Sequence, residues 1–385
     1  MKLKHILLIF GLLLFVACKK NSEAQEGGND KTFQRTERVI EQAVFNLINF
    51  KEAVNTNPIL DTLIEYIKHS PESENVYINC ARLDYVPILN AIKKAFKEGV
   101  NFHIIVDYNA PLNKTRNQAA IDQLGALFLN SASEIIPYVS DVTDIGSSYA
   151  KNHQKYAIFS KVEFEKSFTK YIVLVTSRNF MNTGDKAQDA VIMSSEGLYN
   201  AFLSNWEAMS TPSLSGKNFV YAEDKVGDSL KAIFFPRIFG NDQWDGKDPI
   251  VETLDGLSDF TADTIAVAMA GWTTGRKDII RKLKDLVVNG ATVEVITMEG
   301  NSVKKELEQL ETSGAFLRLL PRSKAIHTKM MLIKGIWRGE RTTIILCGSH
   351  NYTGSALKLN NEDLIMFKNS ILFDDYWQYF QILKK

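Results

Sequence analysis

The 385-residue sequence has no surplus of charge of either sign, only three cysteines and only six histidines. Lys+Arg and Asp+Glu each number 45, so the basic excess of a dedicated nucleic-acid binder is absent. Nucleic-acid binding would need a local basic channel, for which Lys114, Arg116, Arg322 and Lys324 are the candidates. Cys80 and Cys347 lie in apolar, strand-like runs with no partner at ligand spacing, which points to small buried hydrophobes rather than a disulfide or metal site. Past the N-terminal segment no run is long and apolar enough to read as a transmembrane helix. At 45% hydrophobic content the chain can build one large or two ordinary domains.

The one marked apolar run comes first. Lys2, Lys4 and His5 precede Ile6 to Ala17, a stretch too short to span a bilayer comfortably. Val16-Ala17-Cys18 resembles the bacterial lipobox, which implies a signal peptide over 1–17 and diacylation of the Cys18 thiol. Phe15 stands where Leu is usual, so a generic secretion signal or membrane anchor is the alternative. The polar residues 18–32, with Gly27-Gly28, read as a flexible tether. The expected location is therefore the cell envelope, outside the cytoplasm, lipid-anchored to a membrane.

What the chain has in abundance is a repeat. His153-Gln-Lys155 is followed by Ser177-Arg-Asn179, and His327-Thr-Lys329 by Ser349-His-Asn351. A carboxylate then follows at nearly equal spacing, Asp189 at 36 positions past the first histidine and Glu362 at 35 past the second. A lone His-x-Lys is usually surface alternation, but two copies with matched followers point to a reaction centre. His5, His69 and His103 have no such followers, and His350 occupies a variable position inside the second motif.

Periodicity repeats with the motifs. Strand 76–80, helix 86–98, a stop at Gly99 and strand 100–107 match strand 264–270, helix 277–288, Gly290 and strand 291–298, each the pattern of a β-α-β unit. Helices over 115–129 and 302–312 and short strands over 134–138 and 315–319 follow. Strands 155–160 and 171–176, then 329–333 and 342–347, deliver the motif residues, and charged Lys161 to Lys170 and Lys334 to Arg341 read as surface turns. Helices 197–209 and 373–383 close the halves. The Ser-Thr-Pro-rich stretch 210–217 marks the seam, which divides the body into 33–216 and 217–385.

In these residues both halves resemble the phospholipase D superfamily, named for its His-Lys-Asp motif, from about Val44 to the C-terminus. The resemblance implies an α/β fold of two pseudo-symmetric halves, each a mixed β-sheet flanked by helices, sharing one active site at their interface. It also implies cleavage or transfer at a phosphodiester through a covalent phosphohistidine, with no cofactor and no metal. The residue types suit that chemistry independently. Lys155 and Lys329 can neutralise the non-bridging oxygens, with Asn179, Asn351, Ser177 and Ser349 as neutral phosphate-binding groups. One imidazole must attack phosphorus unprotonated while the other donates a proton, so the two rings need unequal surroundings, and Asp189 and Glu362 are their natural orienting partners. By position His153 is taken as nucleophile and His327 as general acid, then base, although near-symmetry leaves the roles exchangeable. Such a coupled pair predicts a bell-shaped pH profile.

Three departures stand out. Ser160 and Lys334 occupy the places of the motif's Asp, and the first half has Thr176 for Gly348, Gln188 for Asn361 and the shorter Asp189 for Glu362. Asp189 and Glu362 read alternatively as salt-bridge partners of lysines. In the 236–248 loop, Phe239 and Trp244 either touch lipid at the site mouth or pack as an ordinary loop. The anchor favours glycerophospholipids as substrate for a monomeric hydrolase, since it holds the protein at a lipid surface. An extracytoplasmic endonuclease, or a binding module without turnover, are the alternatives.

Overall fold

The computed structural model describes residues 35–47, 57–139, 150–181, 186–211, 222–227, 229–237, 244–260, 263–322 and 326–385. The leader, Cys18, the tether, Phe239, Lys324 and most of the expected seam lie outside them.

The first half runs β1 (Thr36–Glu37), β2 (Glu41–Asn46), α1 (Pro58–Lys68), β3 (Asn75–Cys80), α2 (Val86–Lys97), β4 (Asn101–Asp107), α3 (Pro111–Phe128), β5 (Glu134–Tyr138), β6 (Lys155–Glu163), β7 (Ser167–Thr176), β8 (Gln188–Ser194) and α4 (Glu196–Ser210). The second runs β9 (Ala222–Lys225), β10 (Leu230–Phe235), α5 (Pro249–Leu254), β11 (Thr264–Met269), α6 (Lys277–Val288), β12 (Thr292–Met298), α7 (Lys304–Thr312), β13 (Phe316–Leu320), β14 (Lys329–Trp337), β15 (Glu340–Gly348), α8 (Gly354–Lys358), β16 (Glu362–Phe367) and α9 (Ser370–Lys384).

Each half builds one mixed sheet, and the strand orders match: β2-β8-β7-β6-β3-β4-β5 against β10-β16-β15-β14-β11-β12-β13, with β1 on β7 and β9 beyond β10. The strands joined by crossover helices pair in parallel and are buried on both faces, which is why Ile104-Ile105-Val106 can be continuously apolar. The strands carrying the motifs are antiparallel.

Two stretches read as turns are largely strand. The charged residues of 161–170 continue the β6–β7 ladder, with Lys161 opposite Lys170, and the chain reverses only around Phe164 to Lys166. In the second half the reversal is Arg338-Gly339, at φ +50° and +82°, the paired positive angles that suit a two-residue hairpin turn. Charge there reflects the exposed end of a ladder. Strands β2 and β10 and helices α1 and α5 carry no motif and go beyond the elements read from sequence.

The halves interlock through their closing helices. α4 meets β10 across a Phe202–Phe234 ring contact of 4.9 Å, and α9 meets β2 through Phe45 stacked on Tyr379 at 4.3 Å. The Tyr379 hydroxyl donates to the Gln188 carbonyl at 3.2 Å. One core therefore draws on both sheets, while the outer faces have separate cores under α1–α3 and under α5–α7. Cys80 and Cys347 are free and buried in strands. No described helix is long and apolar enough to cross a membrane.

Candidate active site

Each histidine sits two residues ahead of a motif strand, and its own backbone N–H is held by the opposite half. His153 N–H donates to the Asn361 carbonyl at 2.8 Å and Asn361 N–H to the Lys151 carbonyl at 3.0 Å. His327 N–H and Thr328 N–H both donate to the Ala187 carbonyl, at 2.7 and 3.0 Å. Because Asn361 precedes Glu362 and Ala187 lies just ahead of Asp189, each histidine's backbone is pinned near the strand that carries the other half's carboxylate.

The two rings are then held differently. His153 Nδ1 lies 2.7 Å from Glu362 Oε2, and Glu362 also accepts from the Ser349 hydroxyl at 2.6 Å and the Asn360 amide at 3.2 Å. His327 Nδ1 lies 2.8 Å from the Ser177 carbonyl. His327 Nδ1 also lies 3.1 Å from the Lys329 ammonium, so that nitrogen faces both an acceptor and a donor; at His153 an ionised Glu362 places the proton on Nδ1 and leaves Nε2 its lone pair. Asp189 does not meet a ring. Its carboxylate accepts from the Thr328 hydroxyl, so the side chain one methylene shorter than Glu362 stops one residue short of His327.

Lys155 and Lys329 are buried, and each ammonium donates to the backbone carbonyl of its own motif histidine at 2.5 Å. Asn179 and Asn351 sit half-buried at the ends of β7 and β15, and Asn179 Oδ1 has no hydrogen-bond partner among the described residues. The Ser177 and Ser349 hydroxyls are turned inward: Asp189 N–H donates to Ser177 Oγ at 3.0 Å and Asp363 N–H to Ser349 Oγ at 2.9 Å. They fasten the loops to the carboxylate strands instead of offering themselves to a bound anion.

Burial sets the protonation states. It holds both imidazoles well below the usual histidine range, with Lys155 adding to the effect at His153 and Lys329 at His327. It pushes Lys155 down to about 8 and lowers Lys329 as well. Glu362 is pushed up to about 7 by the same burial, against the opposing pull of Lys155.

Several contributors carry no sequence motif. Asp363, buried and pushed up to about 6, accepts from Lys155 N–H at 2.9 Å and Ser349 N–H at 3.1 Å, so it fastens the first histidine strand to the second asparagine loop. A Cβ at Gly348 would stand 2.4 Å from the Asp363 backbone carbonyl and 3.0 Å from its Oδ1, so the close approach of the two strands requires glycine there. The first-half counterparts are Thr176 and Ala190. Lys151 and Lys186 raise the positive field, at His153 and His327 respectively. His350 is buried, stacked 3.9 Å from Phe235, and its Nε2 accepts from Arg276, which is ion-paired with Asp248. Trp244 lies under the Lys358 ammonium at 3.5 Å and donates to the Lys247 carbonyl, an ordinary loop contact. Among the described residues no group of three or more His, Cys, Asp or Glu side chains could hold a metal ion.

Residues 259–384 match the family model described as "Cardiolipin synthase, PLD-like domain". Over these residues the second half resembles a phospholipase D-like domain. Across both halves the fold of the chain is similar to that of polyphosphate kinase from Porphyromonas gingivalis (TM-score 0.59, 12% identity), covering 90% of this chain and 50% of that one. It is also similar to phosphatidylserine synthase from Haemophilus influenzae (TM-score 0.57, 13% identity), covering 84% of this chain and 83% of that one. The chain thus spans half the length of the kinase. No curated protein matches in sequence.

At Ser160 and Lys334, where the resemblance led us to expect the motif's Asp, the strands have ties of their own. Ser160 Oγ accepts from Asn75 N–H at 2.8 Å and donates to Glu74 at 2.7 Å, tying β6 to the start of β3. Near Lys334, Asp263 takes over: it packs against Gly335 and accepts from Ile336 N–H at 3.0 Å. The ties lie five and seven residues along their strands from the motif lysines, about 16 and 23 Å at roughly 3.3 Å per residue, so they brace the sheet away from the reacting groups. Ser160→Ala and Asp263→Ala are each expected to lower stability by about 1–2 kcal/mol in denaturant unfolding. Unchanged midpoints in both would contradict these bracing roles.

Proposed function

We propose that the protein is a phosphodiesterase that cleaves, or transfers from, glycerophospholipids through a covalent phosphohistidine on His153. The observation that carries this reading is the meeting of both His-x-Lys motifs in one site, with only His153 backed by a carboxylate. Attack by His153 Nε2 places positive charge on its ring, which Glu362 across the 2.7 Å contact can stabilise. Lys155 and Lys329, with Asn179 and Asn351, neutralise the phosphoryl oxygens.

His327 has the Ser177 carbonyl and the Lys329 ammonium behind its ring, with no carboxylate, and is the proton carrier. It is neutral in the free protein, held so by burial first and the lysine field second, and it takes up a proton from solvent as the incoming anion offsets that field. It protonates the leaving alcohol, then takes a proton from water or an acceptor alcohol as that attacks the adduct. The lipid substrate class is supported by the description of the matched family and by the lipobox-like leader, which would anchor the protein at Cys18 on a membrane of the cell envelope.

A phospholipid panel and plasmid DNA, each with the wild type and a His153→Asn, His327→Asn double variant, test the substrate. Head-group release by the wild type alone is expected; nicking alone would move the reading to a nuclease, and silence on both to a binding module. A second test uses an aryl phosphodiester, whose leaving group needs no general acid, so kcat/KM reports only the first step. Below about 7 Glu362 gains a proton and stops accepting from His153; above about 8 Lys155 loses its charge. A bell with limbs near those values is expected, and Glu362→Gln should flatten the acid limb. A monotonic profile across neutral pH contradicts these assignments.

A further inference from the structure

The two halves present matched walls to the site. Ala81 N–H donates to the Gln154 carbonyl at 3.2 Å and Ala270 N–H to the Thr328 carbonyl at 3.1 Å; the next residues, Arg82 and Gly271, accept from Phe180 and Tyr352 at 3.2 and 3.0 Å. Position 271 borders the site directly, since a Cβ there would stand 3.1 Å from Asn351 Oδ1. In the second half that wall is bare. In the first, the same backbone position is Arg82, whose guanidinium reaches Asn113 and Met181.

Arg82 is half-buried and held in place. Its Nε donates to Asn113 Oδ1 at 2.6 Å and its Nη1 lies 3.6 Å from Met181 Sδ, two residues beyond Asn179. Asn113 donates to Asp107 at 2.9 Å, and Asp107 accepts from Asn152 N–H at 2.9 Å, immediately before His153. Asn152 in turn donates to Asn79 at 2.6 Å. The second-half counterparts of Asn79, Asp107 and Asn152 are Ala268, Met298 and Ile326, so this buried polar scaffold exists on one side only.

The guanidinium has more capacity than its partners use. Of its five N–H donors, one meets an amide oxygen and one a thioether, a weak acceptor. Burial weighs against its charge, Asp84 and Asp107 support it and Arg116 opposes it, and no contact within ion-pair distance to a described carboxylate uses its fork. A guanidinium with unused donors fits phosphate or carboxylate bidentately. Lys155 and Lys329 already serve the single charge of the scissile diester.

We infer that Arg82 is a specificity-determining residue that receives a second anionic group of the substrate, so that the preferred lipids carry a further phosphate or carboxylate near the scissile phosphodiester. The inference rests on the phosphodiesterase reading and narrows its substrate class.

Two arms test it with Arg82→Gly, which copies the second half, and Arg82→Lys, which keeps the charge. In calorimetry, 1,3-propanediol bisphosphate is expected to bind the wild type about tenfold or more tightly than propyl phosphate, as one charge-assisted contact suggests. Arg82→Gly should erase that preference and leave propyl phosphate binding within about twofold, with Arg82→Lys intermediate. In neutral detergent micelles, kcat/KM for cardiolipin should fall about tenfold to a hundredfold in Arg82→Gly, and that for phosphatidylcholine less than about twofold. Equal loss on both lipids, an unchanged preference in the binding arm, or an Arg82 effect confined to plasmid nicking overturns the inference. A wild type that turns over no lipid defeats the lipid reading by itself, and the binding arm still decides whether Arg82 receives a second anion.

Discussion

Everything in the site depends on a crossed pair of backbone hydrogen bonds, His153 N–H to the Asn361 carbonyl and His327 N–H to the Ala187 carbonyl. Each histidine precedes its motif strand, and its own backbone N–H is held by the opposite half, while neighbouring residues are also tied within their own half. The crossing sets the side chains too: Glu362 can back His153 only because Asn361 is already bonded to the histidine's backbone. Interlocked closing helices make the crossing durable, with α9 seated on β2 and α4 on β10.

Duplication would give two equivalent rings, and the chain departs from it at each layer around them. A carboxylate backs one imidazole, and a backbone carbonyl with the Lys329 ammonium the other. Asp363 with Gly348 braces one side, where the other has Ala190 with Thr176. An Asn-Asp-Asn scaffold underlies the first histidine and apolar side chains the second. Two identical imidazoles acting on one phosphorus need opposite proton states, and unequal surroundings are how a protein assigns them.

Much of this was legible in the sequence because repetition exposes it. The parallel β-α-β units, both histidines, both lysines and both asparagines stand at matched spacings, and strand and helix periods locate them. What escaped was whatever depends on the register between halves. Glu362 and His153 are 209 positions apart, so no spacing rule pairs them, and Asp189 looked like an equal partner until the strand ends were placed. Asp363 reads as one more acid in a strand, and Gly348 as a motif glycine, until their backbones are found in contact. Arg82 sits in no motif and gains meaning only opposite Gly271. Ser160 and Lys334 read as losses because the hydrogen bonds that tie the strands there come from Asn75 and Asp263, distant in sequence.

The central claim is that one composite site uses its two histidines in different roles, with His153 taking the phosphoryl group. The most direct measurement is peptide mapping of an acid-sensitive phosphoryl adduct in a His327→Asn variant treated with an aryl phosphodiester, which needs no proton donor to depart but still needs a base for release. The account expects the adduct to accumulate on the peptide containing His153 and to be absent from a His153→Asn variant. An adduct on His327 in the His153→Asn variant, with none on His153 in the His327→Asn variant, would contradict it.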